Sequence, residues 1–472
     1  MLPVIAIVGR PNVGKSTIFN RLTKTRNALV ANQPGLTRDR QYGRGMINNQ
    51  PCILVDTGGL SGEEDELNLA MAKQVQYAIE ESHCVMWVVD GKTGMNSSDE
   101  KIAEELRKLN KPICITVNKT ENMERVSSCA DFYSLGMGEP FAIAAVHGRG
   151  IKNLEEGLLN LLEQENITFN DEAEDPSSGV KIALIGRPNV GKSTLINRIV
   201  GEERVVVFDM PGTTRDSLNV PFEKKGTNYT FIDTAGVRRK SKVKEVIEKF
   251  SIIKALQAME SSNVVLLIFD AHEGITDQDN TLISHVLKSG RALIIAINKW
   301  DGLDEEKKTS IQRDIDLRLS YVKYAKIHRI SALHGTGVGD LFQSINKAHQ
   351  SAFRDIQTHE LTQVIEQAVQ AHQPPLVKGR RIKLRYAHQG GRNPPIIVIH
   401  GNQTKSVPEA YVRYLENFIR KSFRLVGTPV YIEFKNSENP YKHKRNTLTP
   451  RQIRKKQRLV KHVHKSKVTR NK

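Results

Sequence analysis

The sequence is poor in the features that mark secreted and membrane proteins. Its 472 residues include only four cysteines, Cys52, Cys84, Cys114 and Cys129, which stand far apart in the chain. Cysteines spaced in this way fit reduced thiols in a cytosolic protein better than a disulfide framework or a metal site. No apolar run approaches about 18 residues, so no transmembrane helix is expected. The short run Leu2–Val8 lacks a basic leader, and we expect it to form a buried strand rather than a signal peptide.

Acidic residues are scarce relative to basic ones. The chain has 70 lysines and arginines against 52 aspartates and glutamates, which gives a formal net charge of +18. Such an excess predicts a polyanionic partner. Residues 441–472 contain no acidic residue and too few apolar ones to bury a core, so we expect a disordered tail. Two functions remain open for this tail: contact with RNA, or a charge run that only improves solubility.

A long internal repeat dominates the rest of the chain. The phrase GRPNVGKST occurs at residues 9–17 and again at residues 186–194. Two further pairs share this offset of 177 positions, namely PGLTRDR at 34–40 with PGTTRDS at 211–217, and DTGG at 56–59 with DTAG at 233–236. Later pairs drift to offsets of 180, for NKTE at 118 with NKWD at 298, and 187, for IAAVHGRG at 143 with ISALHGTG at 330. A repeat of this size indicates a duplicated domain rather than a solenoid.

Short apolar runs alternate with helical stretches in both repeats. This pattern predicts an α/β fold in which a parallel sheet is covered by helices on both faces. The predicted strands are Val4–Val8, Cys52–Val55, Val85–Val89 and Ile113–Val117 in the first repeat, and Ile182–Ile185, Tyr229–Ile232, Val264–Phe269 and Ala292–Ile297 in the second. Each repeated phrase that follows one of these strands lies at the carboxyl edge of the sheet, where open α/β folds bind ligands.

The chain is expected to divide into five segments. These are a first phosphate-binding domain at 1–164, an acidic flexible linker at 165–179, a second phosphate-binding domain at 180–350, a small α+β domain at 351–439 and the basic tail at 440–472. The small domain has an α-β-β-α-β pattern. Its helices are marked by the apolar stripes Leu361–Ala368 and Val407–Phe418, and its strands by Arg381–Tyr386, Ile396–His400 and Pro429–Phe434.

The repeated phrase predicts a phosphate-binding loop. Glycines at the spacing Gly-x-x-x-x-Gly-Lys-Ser let backbone N–H groups surround a β-phosphate at a helix N-terminus. Lys15 and Lys192 are expected to reach the β- and γ-phosphates, and Ser16 and Ser193 to place hydroxyls on Mg²⁺. A chance glycine-rich turn would explain one such match, but two matches in equivalent sequence contexts argue against chance. The predicted nucleotide-binding residues of the two loops are Gly9, Arg10, Pro11, Asn12, Val13, Gly14, Lys15, Ser16, Gly186, Arg187, Pro188, Asn189, Val190, Gly191, Lys192 and Ser193.

Two further loops in each repeat predict magnesium and γ-phosphate contacts. Asp56 and Asp233 end a strand, where a carboxylate can hold Mg²⁺ through water. Thr37 and Thr214 lie in the preceding loops, where a threonine can complete the magnesium shell only while the γ-phosphate is present, as in a switch. The remaining predicted nucleotide contacts here are Thr57, Gly58, Gly59, Leu60, Thr234, Ala235, Gly236 and Val237, with backbone N–H groups of Gly59 and Gly236 aimed at the γ-phosphate.

A fourth pair of loops predicts selection of guanine. In Asn-Lys-x-Asp the carboxylate accepts hydrogen bonds from the base N1–H and N2–H₂ groups, a pattern that adenine does not offer. The second repeat has this sequence in full, whereas the first has Glu121 instead of aspartate and Ala144 where the second has Ser331. Weaker guanine binding in the first repeat and compensated drift with full function both remain open. The predicted residues are Asn118, Lys119, Thr120 and Glu121, and Asn298, Lys299, Trp300 and Asp301.

These motifs together resemble the bacterial double-GTPase family EngA, also called Der. The resemblance covers residues 1 to about 439 and rests on the paired GRPNVGKS, PG-x-TRD and DT-x-G phrases, with a small C-terminal domain similar to the family's KH-like domain. It implies two GTP-hydrolysing domains that act in assembly of the large (50S) ribosomal subunit, and a KH-like domain that meets ribosomal RNA. The C-terminal domain lacks a Gly-x-x-Gly clamp, which argues against ordinary KH-type binding of a single strand.

The residues that follow the DT-x-G loops raise a question about hydrolysis. Many GTPases have a water-orienting glutamine there, but this chain has Leu60 and Val237, which cannot orient water or supply charge. Asn12 and Asn189 resemble the asparagine of potassium-activated GTPases, so we hypothesise that K⁺ serves both sites; a simple bracing role remains the alternative. The predicted catalytic residues are Asn12, Lys15, Thr37, Gly59, Asn189, Lys192, Thr214 and Gly236, and the predicted magnesium ligands are Ser16, Thr37, Asp56, Ser193, Thr214 and Asp233.

Three functions compete at this level. The leading one is a cytoplasmic GTPase switch whose nucleotide state governs docking of an RNA-facing domain on a ribosomal precursor. The second is a passive RNA-binding assembly factor in which slow hydrolysis acts as a timer. The third, a tRNA-modification GTPase, would require an added folate-type or helical domain that this chain does not resemble. The basic stretch RRKSKVKEVIEKF at 238–250 is either a solvated start of a helix or a nucleotide-gated RNA contact.

Overall fold

The computed structural model describes residues 2–23, 41–57, 76, 78–109, 111–121, 125–165, 167, 179–201, 205–207, 219–232, 252–377 and 380–436. The chain divides into two compact units. The first comprises residues 1–354, 392–395 and 424–429, and the second comprises residues 355–391, 396–423 and 430–472. Within the described part of the chain, no helix has the length and apolar character needed to cross a membrane.

The first repeat forms a mixed sheet with six strands in its described part. The strand order is β2-β3-β1-β4-β5-β6, and all neighbouring pairs are parallel except β2 with β3. The predicted α/β fold is confirmed, but the expectation of an entirely parallel sheet is corrected at this edge. The strands are β1 Val4–Val8, β2 Gln41–Ile47, β3 Gln50–Asp56, β4 Cys84–Asp90, β5 Ile113–Asn118 and β6 Phe141–Ala142.

The second repeat has the same plan with one more strand among its described residues. The order is β13-β12-β11-β7-β10-β9-β8, and the pairs β10–β9 and β9–β8 are antiparallel. Its strands are β7 Val180–Ile185, β8 Val205–Val207, β9 Val220–Lys224, β10 Thr227–Ile232, β11 Val264–Asp270, β12 Ala292–Asn298 and β13 Lys326–Arg329. The central predicted strands of both repeats are therefore confirmed.

Helices cover both faces of each sheet. In the first repeat they are α1 Lys15–Leu22, α2 Ser97–Lys108, α3 Arg125–Tyr133 and α4 Ile151–Gln164. In the second they are α5 Lys192–Val200, α6 Ile252–Glu260, α7 Asp277–Ser289, α8 Glu305–Arg318 and α9 Val338–Phe353. Successive residues of a strand point to opposite faces, so one strand supplies two cores. Ile5 and Ile7 lie in one apolar cluster, whereas the alternating Ala6 and Val8 lie in another.

The second unit contains a three-stranded sheet with two helices. The strands β16 Lys383–Gly391 and β17 Ile396–Asn402 pair antiparallel, and β18 Tyr431–Asn436 pairs parallel to β17. The helices are α10 Thr358–Ala371 and α11 Glu409–Ser422, and the short strands β14 Leu376–Val377 and β15 Arg380–Arg381 pair with each other. The predicted α-β-β-α-β order is confirmed. The first long strand begins two residues later than expected and extends to Gly391, with register shifts on the way.

Candidate nucleotide sites

Each GRPNVGKS phrase forms a tight loop between a buried strand and a helix. In the first repeat the loop joins β1 to α1, and in the second it joins β7 to α5. Gly14 has a φ of 99° and Gly191 a φ of 98°, a left-handed conformation that favours glycine. A Cβ atom at either position would also clash with the side-chain amide of Asn118 or Asn298. The glycines that close the two loops are thus required both by backbone conformation and by the close approach of the asparagine.

The two loop lysines adopt the same hydrogen bonds in both repeats. Lys15 Nζ donates to the carbonyl oxygens of Gly9 at 2.9 Å and Arg10 at 2.7 Å. Lys192 Nζ donates to Gly186 at 2.9 Å and to the next carbonyl at 2.7 Å. Burial lowers the pKa of Lys15 to about 8, although the Asp56 carboxylate acts in the opposite direction. A phosphate placed beside this ammonium would favour its charged form, as expected for a triphosphate-binding loop.

Two predicted magnesium ligands of the first repeat lie together. Ser16 Oγ donates to Asp56 Oδ2 at 2.7 Å. The other carboxylate oxygen, Asp56 Oδ1, is buried and has no hydrogen-bond partner among the described residues. An oxygen-rich pair with an unsatisfied carboxylate oxygen suits a hard cation such as Mg²⁺. In the second repeat Ser193 lies in the first turn of α5, at the position equivalent to Ser16.

The asparagines of the guanine loops brace the phosphate loops in both repeats. Asn118 Nδ2 donates to the carbonyl oxygen of Val13 at 2.9 Å, and its Oδ1 accepts from the N–H of Ala145 at 3.0 Å. Asn298 makes the equivalent pair of hydrogen bonds at 2.8 Å and 2.8 Å. The structure therefore links three predicted loops of each repeat at one sheet edge.

The adjacent lysines are held by a carboxylate that the sequence did not single out. Lys119 Nζ lies 2.6 Å from Asp90 Oδ2, and Lys299 Nζ lies 2.5 Å from Asp270 Oδ2. Both aspartates end a central strand, β4 or β11. Lys119 and Lys299 also have positive φ values of 68° and 64°. The sequence did contain a signal for them, because Asp90 and Asp270 each stand directly after an apolar run at equivalent places in the two repeats.

The guanine-selecting carboxylate is supported differently in the two repeats. A hydrogen bond from Ser331, helped by the neighbouring imidazoles of His334 and His272, lowers the pKa of Asp301. His334 Nε2 lies 3.2 Å from Asp301 Oδ2. The first repeat has Ala144 at the place of Ser331, and Ala144 has no side-chain hydroxyl to offer Glu121. The sequence difference therefore corresponds to the loss of one hydrogen-bond donor.

An ion pair ties each phosphate loop to a neighbouring helix. Arg10 Nε donates to Asp99 Oδ1 at 2.8 Å, and Arg187 Nε donates to Asp279 Oδ1 at 3.0 Å. Both aspartates are fully buried and belong to capping boxes that begin α2 and α7. Arg187 has a second partner, because its Nη1 also lies 2.6 Å from the carboxylate of Glu273. The loop arginines, predicted only as nucleotide contacts, thus also anchor the loops.

Several predicted site residues lie outside the described residues. They are Thr37, Gly58, Gly59 and Leu60 in the first repeat, and Thr214, Asp233, Thr234, Ala235, Gly236 and Val237 in the second. The basic stretch 238–250 and the tail 440–472 also lie outside. The roles assigned to these residues stay predictions. The described cysteines are all buried free thiols, and no cluster of three metal-ligating His, Cys, Asp or Glu side chains occurs in the described part of the chain.

The fold and these loops define a protein with two P-loop nucleotide sites. A family model described as "50S ribosome-binding GTPase" matches residues 4–119 and 181–299, and one described as "KH-domain-like of EngA bacterial GTPase enzymes, C-terminal" matches residues 355–435. The proteins named GTPase Der from Escherichia fergusonii and Shigella flexneri are each 53% identical to this chain over 490 residues, covering 99% of the chain and 100% of the relative. The chain belongs to the GTPase Der family, and it binds and hydrolyses GTP.

Solved structures are similar to the chain over part of its length. A single-residue variant of Aquifex aeolicus Era bound to GDP·AlF4⁻ is 19% identical, with a TM-score of 0.28, and the match covers 58% of this chain and 97% of that one. A likeness at this level carries no argument about function. The family membership rests instead on the full-length relatives and on the two family models.

Proposed function

We propose that this GTPase acts as a nucleotide-dependent switch in assembly of the large ribosomal subunit, through contact with ribosomal RNA in the cytoplasm. The observation that carries the proposal is the match of both repeats to the model of ribosome-binding GTPases. The net charge of +18 supports it, because ribosomal RNA is a polyanion whose phosphates attract such a surface. Two complete phosphate loops in one chain allow more nucleotide states than one, as a multistep assembly process requires.

Cosedimentation with purified 50S subunits tests this proposal. We expect association to differ between GDP, GTP and a non-hydrolysable GTP analogue, and to weaken steeply as salt rises because phosphate contacts release counterions. The variants Lys15→Ala and Lys192→Ala each disable one phosphate loop, so the variant that loses the nucleotide dependence identifies the governing site. Equal association in all three nucleotides would support the passive RNA-binding factor instead.

The described residues fit a magnesium ion in the first site. Ser16 and Asp56 would hold it, and their mutual hydrogen bond and the orphaned Asp56 Oδ1 are the features that favour this assignment. When bound, Mg²⁺ supplies charge that neutralises the phosphate oxygens during hydrolysis. Thr37 would complete this set, and its equivalents in the second site would be Ser193, Thr214 and Asp233.

Potassium is proposed as an activator of both sites. Asn12 and Asn189 each have a φ of 64° and an exposed side chain. Neither side-chain amide makes a hydrogen bond to another residue in the described part of the chain. When bound, K⁺ supplies positive charge beside the phosphates, a task that Leu60 and Val237 at the position of the usual glutamine cannot perform.

Comparing GTP turnover in KCl and NaCl at equal ionic strength tests the potassium proposal. We expect turnover to fall about tenfold or more in NaCl, because charge stabilisation of the transition state is lost. Asn12→Ala with Asn189→Ala should remove the difference between the two salts. Asn20→Ala with Asn197→Ala is a matched control, since these asparagines are exposed on the helices that follow the loops. Equal turnover of the wild type in both salts would contradict the proposal.

A further inference from the structure

Three aromatic rings stack on one face of the sheet in the second unit. The Tyr386 and His400 rings lie 4.3 Å apart, centroid to centroid, with only 8° between their planes. His388 extends the group, with its ring 5.2 Å from His400 and 6.3 Å from Tyr386. Tyr386 pairs with His400 across β16 and β17, so the stack follows directly from the strand register.

The stacked rings are not part of the apolar core. Ala387 and Ile399, which pair with each other and alternate with the three aromatic residues, are fully buried on the opposite face of the sheet. Tyr386, by contrast, is 45% exposed, and a ring that is half exposed retains surface for another stacked ring. Packing of the domain therefore does not account for the exposed part of the Tyr386 ring.

Cationic side chains lie close to the rings along the strands. Lys383 and Arg385 on β16 are exposed; Lys383 pairs with Asn402, which shares a face of β17 with His400, because the strand register shifts between Leu384 and Tyr386. The exposed Lys435 pairs with His400 across β17 and β18. Partial burial, helped by His388 and Lys435, lowers the pKa of His400, so its ring is neutral near pH 7. Glu433 on β18 is the acidic residue of the three strands, and it lies on the ring face, separated from His388 by Val398, which pairs with both residues.

The combination of stacked rings and flanking cations selects one class of partner. Nucleobases stack on aromatic side chains whatever their sequence, while neighbouring lysines and arginines hold the phosphates. A protein partner would favour a larger apolar patch with fewer charges. The sequence also lacks the Gly-x-x-Gly clamp by which KH domains ordinarily hold a single strand, so a strand bound here would need another means of attachment.

We propose that Tyr386, His388 and His400 form a ring platform on which unpaired bases of single-stranded RNA stack, with Lys383, Arg385 and Lys435 on the adjacent phosphates. This inference rests on the proposed contact with ribosomal RNA and names the surface that makes it. The platform contacts the faces of bases rather than their edges, so it favours unpaired RNA without strong sequence preference.

Fluorescence anisotropy of the full chain with a labelled single-stranded RNA of about 12 nucleotides tests the ring platform. We expect Tyr386→Leu and His400→Leu each to weaken binding about tenfold, the loss that removing one stacking partner produces. Tyr386→Phe keeps the ring and should bind within about twofold of the wild type. Tyr133→Leu removes a ring that is 52% exposed in the first unit and serves as the matched control. A double-stranded RNA of the same composition should compete poorly.

Each contrary result has a separate meaning. The ring platform is wrong if Tyr386→Leu binds RNA as well as Tyr386→Phe does, with circular dichroism and GTP turnover unchanged in both. The proposal of ribosome association would still stand after that result. The platform is also wrong if only Lys435→Glu weakens binding, or if the ring variants lose 50S association but keep RNA affinity, which would indicate a ribosomal protein as the partner. If the wild type binds neither RNA nor 50S subunits, the proposed function itself is overturned.

Discussion

Single residues distinguish the two guanine pockets of this chain. A hydrogen bond from Ser331 lowers the pKa of Asp301 and orients its carboxylate. A carboxylate held in this way is prepared for the donor groups of guanine before the base arrives, because less side-chain freedom remains to be lost. In the first repeat Glu121 has an additional methylene, and Ala144 has no hydroxyl, so the Glu121 carboxylate has neither the same reach nor the same hydrogen-bond donor.

The guanine pockets lead to a prediction about affinity at each site. Ser331→Ala should weaken GDP binding at the second site about two- to fivefold, since one hydrogen bond to an exposed carboxylate contributes on the order of 0.5–1 kcal/mol. Glu121→Asp combined with Ala144→Ser should tighten the first site by a similar factor, whereas Ala144→Ser alone should have little effect. Titrations with a fluorescent GDP analogue measure each site separately when the opposite site is disabled. Lys15→Ala is used to measure the second site, and Lys192→Ala to measure the first. An unchanged affinity in both Ser331→Ala and the double variant would favour compensated drift.

The partners of the loop arginines show where prediction from single residues ends. The spacing of the repeated phrase identified Arg10 and Arg187, because the phrase itself is a local feature. Their carboxylate partners, Asp99 and Asp279, lie about 90 positions further along the chain, and only the folded sheet brings them near. The capping pattern before α2 and α7 predicts a helix start, but it contains nothing that points to an arginine.

At the scale of elements, prediction succeeded where both faces of a strand are buried. The central strands are continuous apolar runs, because each is covered by helices on two sides, and all eight predicted runs lie within observed strands. The edge strands were missed for a related reason. β2 has the sequence QYGRGMI, which contains two glycines and polar side chains, and its strand conformation comes from antiparallel pairing with β3.

Two other strands show how pairing overrides local signals. β9 contains Pro221, a residue that argues against a strand, yet Pro221 lies opposite Thr230 in the antiparallel pair of β9 with β10. β16 continues through Gln389 and two glycines, which carry no apolar pattern, because β17 supplies hydrogen-bonding partners along that length. The ring platform depends on this register, so the sequence alone could not have placed Tyr386 against His400.

At the scale of the whole molecule, the two repeats contact each other within the first unit. Ile253 on α6 is buried in one apolar cluster with Val4 and Ile53 of the first sheet. Beside this cluster, Arg44 on β2 pairs with Glu260 at the end of α6, with Nη1 and Oε2 3.1 Å apart. The carboxylate side chain of Glu260 is only 7% exposed, so this contact lies in a partly dehydrated environment where charge pairs are stronger than on an open surface.

This contact joins elements that adjoin a predicted switch loop in each repeat. β2 directly follows residues 24–40, which include the predicted magnesium ligand Thr37. α6 directly follows residues 233–251, which begin with the predicted ligand Asp233. A nucleotide that moves either loop would act on one side of the Arg44–Glu260 pair, so the pair is positioned to couple the two sites energetically.

We therefore predict that Arg44→Ala weakens the coupling between the two nucleotide sites. GDP affinity at the second site should be measured in two states of the first site: filled with a non-hydrolysable GTP analogue, and disabled by Lys15→Ala. With Arg44 present, the two affinities should differ about fivefold, which corresponds to a coupling free energy of about 1 kcal/mol. Arg44→Ala should reduce this ratio towards one while the fold persists, because Glu260 keeps a second cation, Arg291, whose Nη2 lies 3.8 Å from its carboxylate. Lys308→Ala, which removes an exposed ion pair with Glu305 elsewhere in the second repeat, is the matched control and should leave the ratio unchanged. If Arg44→Ala preserves the wild-type ratio, the contact only packs the repeats together, and any communication between the sites takes another route.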